Sequence, residues 1–179
     1  EKLIEFLDDL MFFDILHLSA YALTIEPKTV FAVQKEKGRL QELPEEEVNH
    51  QFNILNTYLK EKEFEHYEVS NWGQVGFISE HNSAYWKSVD YIGIGPSAHS
   101  FNGTKRRWNV RNNQVYLKKI KEGKTDFYEE ETLSIQNRYN EYLMTRLRTI
   151  WGVEKKKLST LGGEAEQEFL KQLNLSSFA

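Results

Sequence analysis

Cysteine is absent from all 179 residues. Disulfides, Cys-type zinc sites, nucleophilic cysteines and Cys-held iron–sulfur clusters all require a thiolate, so this chain by itself supplies none of them. An excess of positive charge is also missing. The net charge is -4 and the pI near 5.8, which argues against a protein whose main task is neutralising the phosphates of nucleic acid. No apolar run approaches the roughly 20 residues of a membrane span; the stretch from Leu10 to Leu18 is broken by Asp14 and His17. The histidines stand at 17, 50, 66, 81 and 99 with no H-x-H or H-x-x-x-H pair, which argues against a protein-only zinc site. The G-x-S-x-G elbow of serine hydrolases is missing, as are internal repeats and low-complexity tracts. What is left is a chain with 40% hydrophobic and 28% charged residues, long enough to bury a core and of cytoplasmic type.

The patterning alternates helix and strand. Leu3, Ile4, Leu7, Leu10 and Met11 repeat with a helical period, and ILHLSAYAL from Ile15 to Leu23 suits a largely buried strand that stops before Pro27. Pro44 to Glu63 reads as a second helix, with Pro at its start, Glu45 to Glu47 at the positive dipole end, and a stripe of Val48, Phe52, Leu55 and Leu59. Phe64 to Ser70 and Tyr91 to Ile94 read as strands separated by a polar loop, an order that favours parallel βαβ units. Val115 to Ile120 makes a short helix and EGKTDFYEEE a charged linker, which sets a boundary near Lys124 between residues 1–124 and 125–179. Beyond it, Thr132 to Trp151, Val153 to Leu161 and Glu164 to Leu173 read as three helices of a small domain. A Gly-based turn at Trp151-Gly152-Val153 stops the first of these. The first helix has no preceding cap and NLSSFA ends abruptly, so a piece of a longer protein is expected.

Chemistry-bearing residues concentrate between His66 and Asn112, in HYEVSNW, HNSAYW, DYIGIGPSAHSF and RRWNVRN. Large aromatics interleaved with His, Asn and Arg suit a ligand-facing rim at strand ends, and they equally suit rim packing with turn chemistry. Gly93 to Ala98 formally matches G-x-G-x-x-A, but Pro96 removes a backbone N–H and no helical period follows, so a dinucleotide fingerprint is rejected. A glycine turn that lets backbone approach a ligand, with Ser97, His99 and Ser100 nearby, stands beside the alternative of a tight turn closing a strand. If His81 to Trp86 is helical, His81 and Tyr85 share a face, and an exposed imidazole beside flat rings suits an axial ligand and stacking platform for a planar macrocycle. The alternative is a hydrogen-bonded loop histidine. Lys105, Arg106, Arg107 and Arg111 form the one basic cluster of note, able to grip carboxylates or phosphates or simply to lie solvated.

Taken in order, LHLSAYALTIEPKTVFA, EHYEVSNW, HNSAYW, DYIGIGPSAHSF and RRWNV resemble the oxygen-independent coproporphyrinogen III oxidase-like radical SAM family, and more closely its HemW-type haem chaperone branch, in which a HNxxYW motif occurs. The resemblance covers roughly Ile15 to Trp151. It implies an α/β fold, the later part of a partial (β/α) barrel followed by a small mainly helical domain. It also implies a parent protein that binds a [4Fe–4S] cluster through C-x-x-x-C-x-x-C, S-adenosylmethionine and haem. With no cysteine, this chain cannot hold the cluster. Carried over residue by residue, His81 is the candidate haem ligand, flanked by Tyr85 and Trp86. Gly93, Gly95, Ser97 and His99 would lie near the barrel mouth facing cofactor or haem, and Tyr21 would point near the same mouth. The functions implied are haem delivery to an acceptor protein or, alternatively, radical decarboxylation of coproporphyrinogen in porphyrin biosynthesis. A third possibility is a structural part of the barrel that binds nothing.

Overall fold

The computed structural model describes residues 2–161 and, beyond them, Gln167 and Lys171. Within it the chain divides into two compact units, Glu1–Ser79 and Glu80–Ala179.

The first unit runs α1 (Lys2–Met11), β1 (His17–Ser19), α2 (Val30–Glu36), α3 (Glu45–Glu61), β2 (Phe64–Glu68) and β3 (Asn71–Gln74). Its sheet has the order β1-β3-β2 with both pairings antiparallel. Because β1 and β2 each oppose β3, they run parallel to one another, joined by a helical crossover as in a βαβ unit whose strands are split by a third. The parallel relation expected of a βαβ unit is present between β1 and β2, with β3 inserted between them. The intruder, β3, falls in the stretch that the sequence marks as polar loop, because NWGQ shows no apolar alternation. A tight β2–β3 turn makes it possible: the Glu68 carboxylate accepts from the Ser70 backbone N–H at 3.0 Å and from Asn71 Nδ2 at 2.6 Å, beside a register shift between His66 and Glu68.

Helix α3 starts behind Pro44 with three glutamates in its first turn, as the dipole favours. Its Leu55 and Leu59, one turn apart, bury against Leu7 of α1 and against Phe64 and Trp72 of the sheet. Trp72 is 1% exposed, stacks at 4.4 Å on the His66 ring and donates its indole N–H to Asn56 Oδ1 at 2.9 Å, so its one polar atom is satisfied. Helix α2 was not anticipated; its signal is Thr29, whose hydroxyl accepts from the Ala32 N–H. The run ILHLSAYAL yields only three strand residues, His17–Ser19 at the sheet edge, and Leu16, Tyr21 and Leu23, which flank them, are exposed.

The opposite face of this sheet is polar. Tyr67, fully buried, meets His17 Nε2 at 2.8 Å, and Ser19 donates to Asn71 Oδ1 at 2.6 Å. Burial holds the His17 imidazole below its ordinary pKa. The unfolded chain therefore takes up a proton at His17 before the folded chain does, and stability should fall as pH drops through the unfolded-state value near ~6.5. Urea midpoints between pH 8 and 5 should show this decline, and it should shrink in His17→Gln; an equal decline in both proteins would assign it to other groups.

The second unit contains α4 (Glu80–Trp86), β4 (His99–Phe101), β5 (Lys105–Asn109), α5 (Asn113–Lys121), β6 (Tyr128–Thr132), α6 (Ile135–Arg146) and α7 (Lys155–Leu161). Its antiparallel sheet has the order β4-β5-β6. Strand β6 is the segment read as a charged linker. Its glutamates suit a strand because they lie opposite a basic one: Glu130 pairs with Lys105 and Arg107, and Glu131 with Arg106. This ladder joins residues on both sides of Lys124 inside one compact unit, so the division at Ser79 differs from the boundary read from composition. Of the run Tyr91 to Ile94, only Tyr91 bridges a strand residue, Phe101, while Ile92 and Ile94 are 85% and 89% exposed. Ser134 caps α6 by accepting from the Asn137 N–H. The helix is shorter than expected and packs Tyr139 and Tyr142 on Leu158 of α7. Gly152, at φ 61°, occupies the turn anticipated for it. The expected third helix, Glu164 to Leu173, lies outside the described residues except for Gln167 and Lys171.

Candidate functional site

The motif HNSAYW forms α4, with Glu80 in its first turn. One turn apart, His81 and Tyr85 meet edge to face with ring centroids 5.0 Å apart, the shared face expected of a helix. Both are exposed. Among the described residues the His81 ring makes no hydrogen bond, so its ring nitrogens are uncommitted. Trp86 lies elsewhere on the helix circumference: its indole N–H is buried without a hydrogen-bond partner among the described residues, and the Arg148 guanidinium sits 5.6 Å over its ring. The triplet therefore divides, with Trp86 packed inward and His81 and Tyr85 presented outward.

From Tyr85 a row of rings continues into the sheet. Tyr85 meets Tyr91 at 4.9 Å, and Tyr91 meets Phe101 at 6.0 Å. Burial raises the Tyr91 phenol above its usual pKa despite the nearby Arg106 guanidinium. Arg106 in turn donates to Glu141 of α6 at 2.9 Å. Tyr91 and Phe101 carry little local signal of a site: Tyr91 opens the short apolar run YIGIG, and Phe101 follows the polar SAHS of DYIGIGPSAHSF.

The glycine loop is held from three sides. The Gly93 N–H donates to Ser100 Oγ at 3.0 Å, the Gly95 N–H donates to the Tyr116 hydroxyl at 3.2 Å, and buried Asn109 donates Nδ2 to the Gly95 carbonyl at 2.9 Å. Gly93 is required by contact: a Cβ there would lie 2.1 Å from the His99 carbonyl oxygen. Gly95 is required by conformation, with φ 108°. Ser97, at φ 60°, is exposed and donates its backbone N–H to the Val110 carbonyl. Strand alternation sends the His99 ring to the side of the sheet opposite Ser100, beside its cross-strand neighbour Trp108. Thus Gly93 and Gly95 share a rigid loop with Ser100 and Asn109, while His99 contributes its backbone to that loop and its ring to the other face. Asn109 was not singled out from the sequence, since a strand asparagine carries no local signal of a loop-clamping role. Tyr21 belongs to the first unit, where it is exposed and lines an apolar groove of about 490 Å3 with Leu3, Phe6 and Phe52.

The basic cluster is largely answered from within. Lys105 meets Glu130 at 2.6 Å, Arg107 bonds the same carboxylate, and Arg106 meets Glu141 and Glu131. Hydrogen bonds from Lys105 and then Arg107 hold the Glu130 carboxyl below its usual range. Among the described residues no three His, Asp or Glu side chains gather as a metal site, and no helix is long and apolar enough to cross a membrane.

No family model matches the chain. Curated relatives do: the haem chaperone HemW of Bacillus subtilis is 32% identical over 149 residues, which is 83% of this chain and 39% of that protein. HemW of Mycobacterium tuberculosis is 30% identical over 152 residues, 85% of this chain and 38% of that protein. The chain belongs to the HemW/HemN-like radical SAM family. It spans about two fifths of the length of these relatives. The mitochondrial radical S-adenosyl methionine domain-containing protein 1 of Danio rerio is 40% identical over 83 residues, 46% of this chain and 19% of its own length. Among solved structures, the radical SAM enzyme coproporphyrinogen III oxidase, HemN, of Escherichia coli matches with a TM-score of 0.65. The match covers 96% of this chain and 42% of that one at 14% identity, and establishes the shared α/β fold.

The groups associated with this family fit these residues unequally. A [4Fe–4S] cluster needs thiolates, and the sequence has none. An imidazole is one of the side chains that can ligate haem iron, and His81 is exposed, ring-flanked and free of hydrogen bonds among the described residues.

Proposed function

We propose that this chain is the haem-ligating part of a cytoplasmic HemW-like protein that delivers haem to acceptor proteins. The observation that supports this reading is the presentation of His81 on α4, with an imidazole free of hydrogen bonds among the described residues and held edge-on to Tyr85. A ring nitrogen of His81 would hold the haem iron. Tyr85 restricts rotation of the imidazole and offers an apolar ring beside it, while Trp86 anchors the helix from behind. In this reading the cluster and S-adenosylmethionine are held by residues other than those of this chain.

The likeness of fold to HemN favours a second reading, decarboxylation of coproporphyrinogen by radical chemistry. A surface imidazole is useful to a carrier and has no evident place in hydrogen abstraction. The two separate when a longer protein containing this chain is reconstituted with cluster and S-adenosylmethionine under anaerobic conditions. Retention of haem with coproporphyrinogen III left unconsumed is the outcome expected here, and its decarboxylation would establish the enzyme instead.

A further inference from the structure

Helix α4 carries His81 but is only seven residues long, and among the described residues its one buried side chain is Ser83. A helix of two turns is marginal in water by itself, so α4 depends on tertiary contacts to stay formed. Two of these cross from its C-terminal end to the turn after α6. The Arg148 guanidinium lies 5.6 Å from the centre of the Trp86 ring, and the Lys87 ammonium lies 4.4 Å from the centre of the Trp151 ring. Each side therefore supplies one cation and one ring.

The turn that makes these contacts is itself pinned. Arg146 pairs with Glu154, and the Glu154 backbone N–H donates to the Tyr142 hydroxyl at 2.9 Å, so the segment between α6 and α7 is tied across its base. Within it the Thr149 N–H donates to the Arg146 carbonyl and the Gly152 N–H to the Thr149 carbonyl, both at 3.2 Å. On the helix side, the N–H groups of Lys87, Ser88 and Val89 donate back to the carbonyls of Ser83, Tyr85 and Ala84. His81 stands five residues before Trp86, roughly 7.5 Å along the helix, so fraying at the C-terminal end unwinds the turn that bears the imidazole.

We infer that Lys87, Arg148 and Trp151 are positioning residues for iron ligation by His81: the two cation–ring contacts keep α4 helical and fix where its imidazole points. The inference rests on the reading of His81 as a haem ligand. Loosening the contacts lowers the fraction of chains in which α4 is formed, and the apparent affinity for haem falls with that fraction. Each contact at such partly exposed positions shifts that equilibrium about threefold, and the two together about tenfold.

Two double variants of the whole chain test this. Lys87→Gln with Arg148→Gln removes both cations, whereas Lys87→Arg with Arg148→Lys keeps them; both positions are exposed, so the fold is expected to persist. Without haem, amide hydrogen exchange at Lys87, Ser88 and Val89 should be about tenfold faster in the Gln pair with α6 unchanged, and at the unaltered rate in the Arg/Lys pair. With ferric haem, the Gln pair should bind about tenfold more weakly yet reach the same Soret maximum, because the ligand is still His81, and the Arg/Lys pair should bind as the unaltered chain does. Unchanged exchange or unchanged haem affinity in the Gln pair, a displaced Soret maximum, or an Arg/Lys pair that restores neither property would each overturn the proposal. Failure of the haem reading shows differently: His81→Ala then gives the same Soret change as the unaltered chain, while the exchange measurement, made without haem, still reports whether the two contacts hold α4.

Discussion

Replacing Gly93 by alanine should destabilise the second unit by about 3 kcal/mol, the upper part of the range for forced overpacking. The added Cβ would stand 2.1 Å from the His99 carbonyl oxygen and 2.7 Å from both its carbonyl carbon and its nitrogen. All three are backbone atoms, so no side-chain rotation relieves the contact. His99 begins β4, which is paired to β5, and Gly93 is itself tied to Ser100 in the same strand. Either the loop leaves the strand, losing the Ser100 and Asn109 hydrogen bonds, or β4 shifts against β5. Gly123→Ala provides the comparison: φ there is 67° with nothing within 4 Å of the added carbon, so only backbone strain of about 1 kcal/mol is expected. Urea unfolding of the three proteins tests this, and equal midpoints for the two alanine variants would show that the close approach at Gly93 is not maintained in solution.

The same loop shows what the sequence could and could not reveal. Gly93 and Gly95 are legible as a turn with close backbone approach, either to a ligand or in closing a strand, because only glycine tolerates such approach or a φ of 108°. What it approaches, the His99 backbone, depends on how the chain folds back after Ser97, and no local pattern carries that. Helices α1, α3 and α5 were legible because their apolar residues recur with the helical period or their starts carry Pro or Asn. Strands β3 and β6 were not. NWGQ is stabilised by strands on both sides and EEE by the basic residues of β5, so each becomes a strand only through its partners. In the candidate site, the helical spacing of HNSAYW placed His81 beside Tyr85 correctly. The inward packing of Trp86 on Arg148 and the turn of the His99 ring to the far side of the sheet are tertiary facts.

The largest functional effect is expected from His81→Ala. Loss of a partner that merely orients a metal-binding histidine typically costs ~10–100-fold in affinity, so loss of the ligand itself should weaken haem binding by more than about a hundredfold. The substitution should not disturb the fold: His81 is exposed, its described partner is one ring, and alanine favours the helix. Tyr85→Phe keeps that ring contact and should retain haem ligation, which separates the imidazole from its neighbour. Titration of ferric haem into the unaltered chain and into His81→Ala, followed in the Soret region, is the most direct measurement. A histidine-ligated band that forms with the unaltered chain and is absent from a folded His81→Ala variant is the outcome this structure predicts. The same Soret change in both proteins would contradict it and leave α4 without a haem ligand.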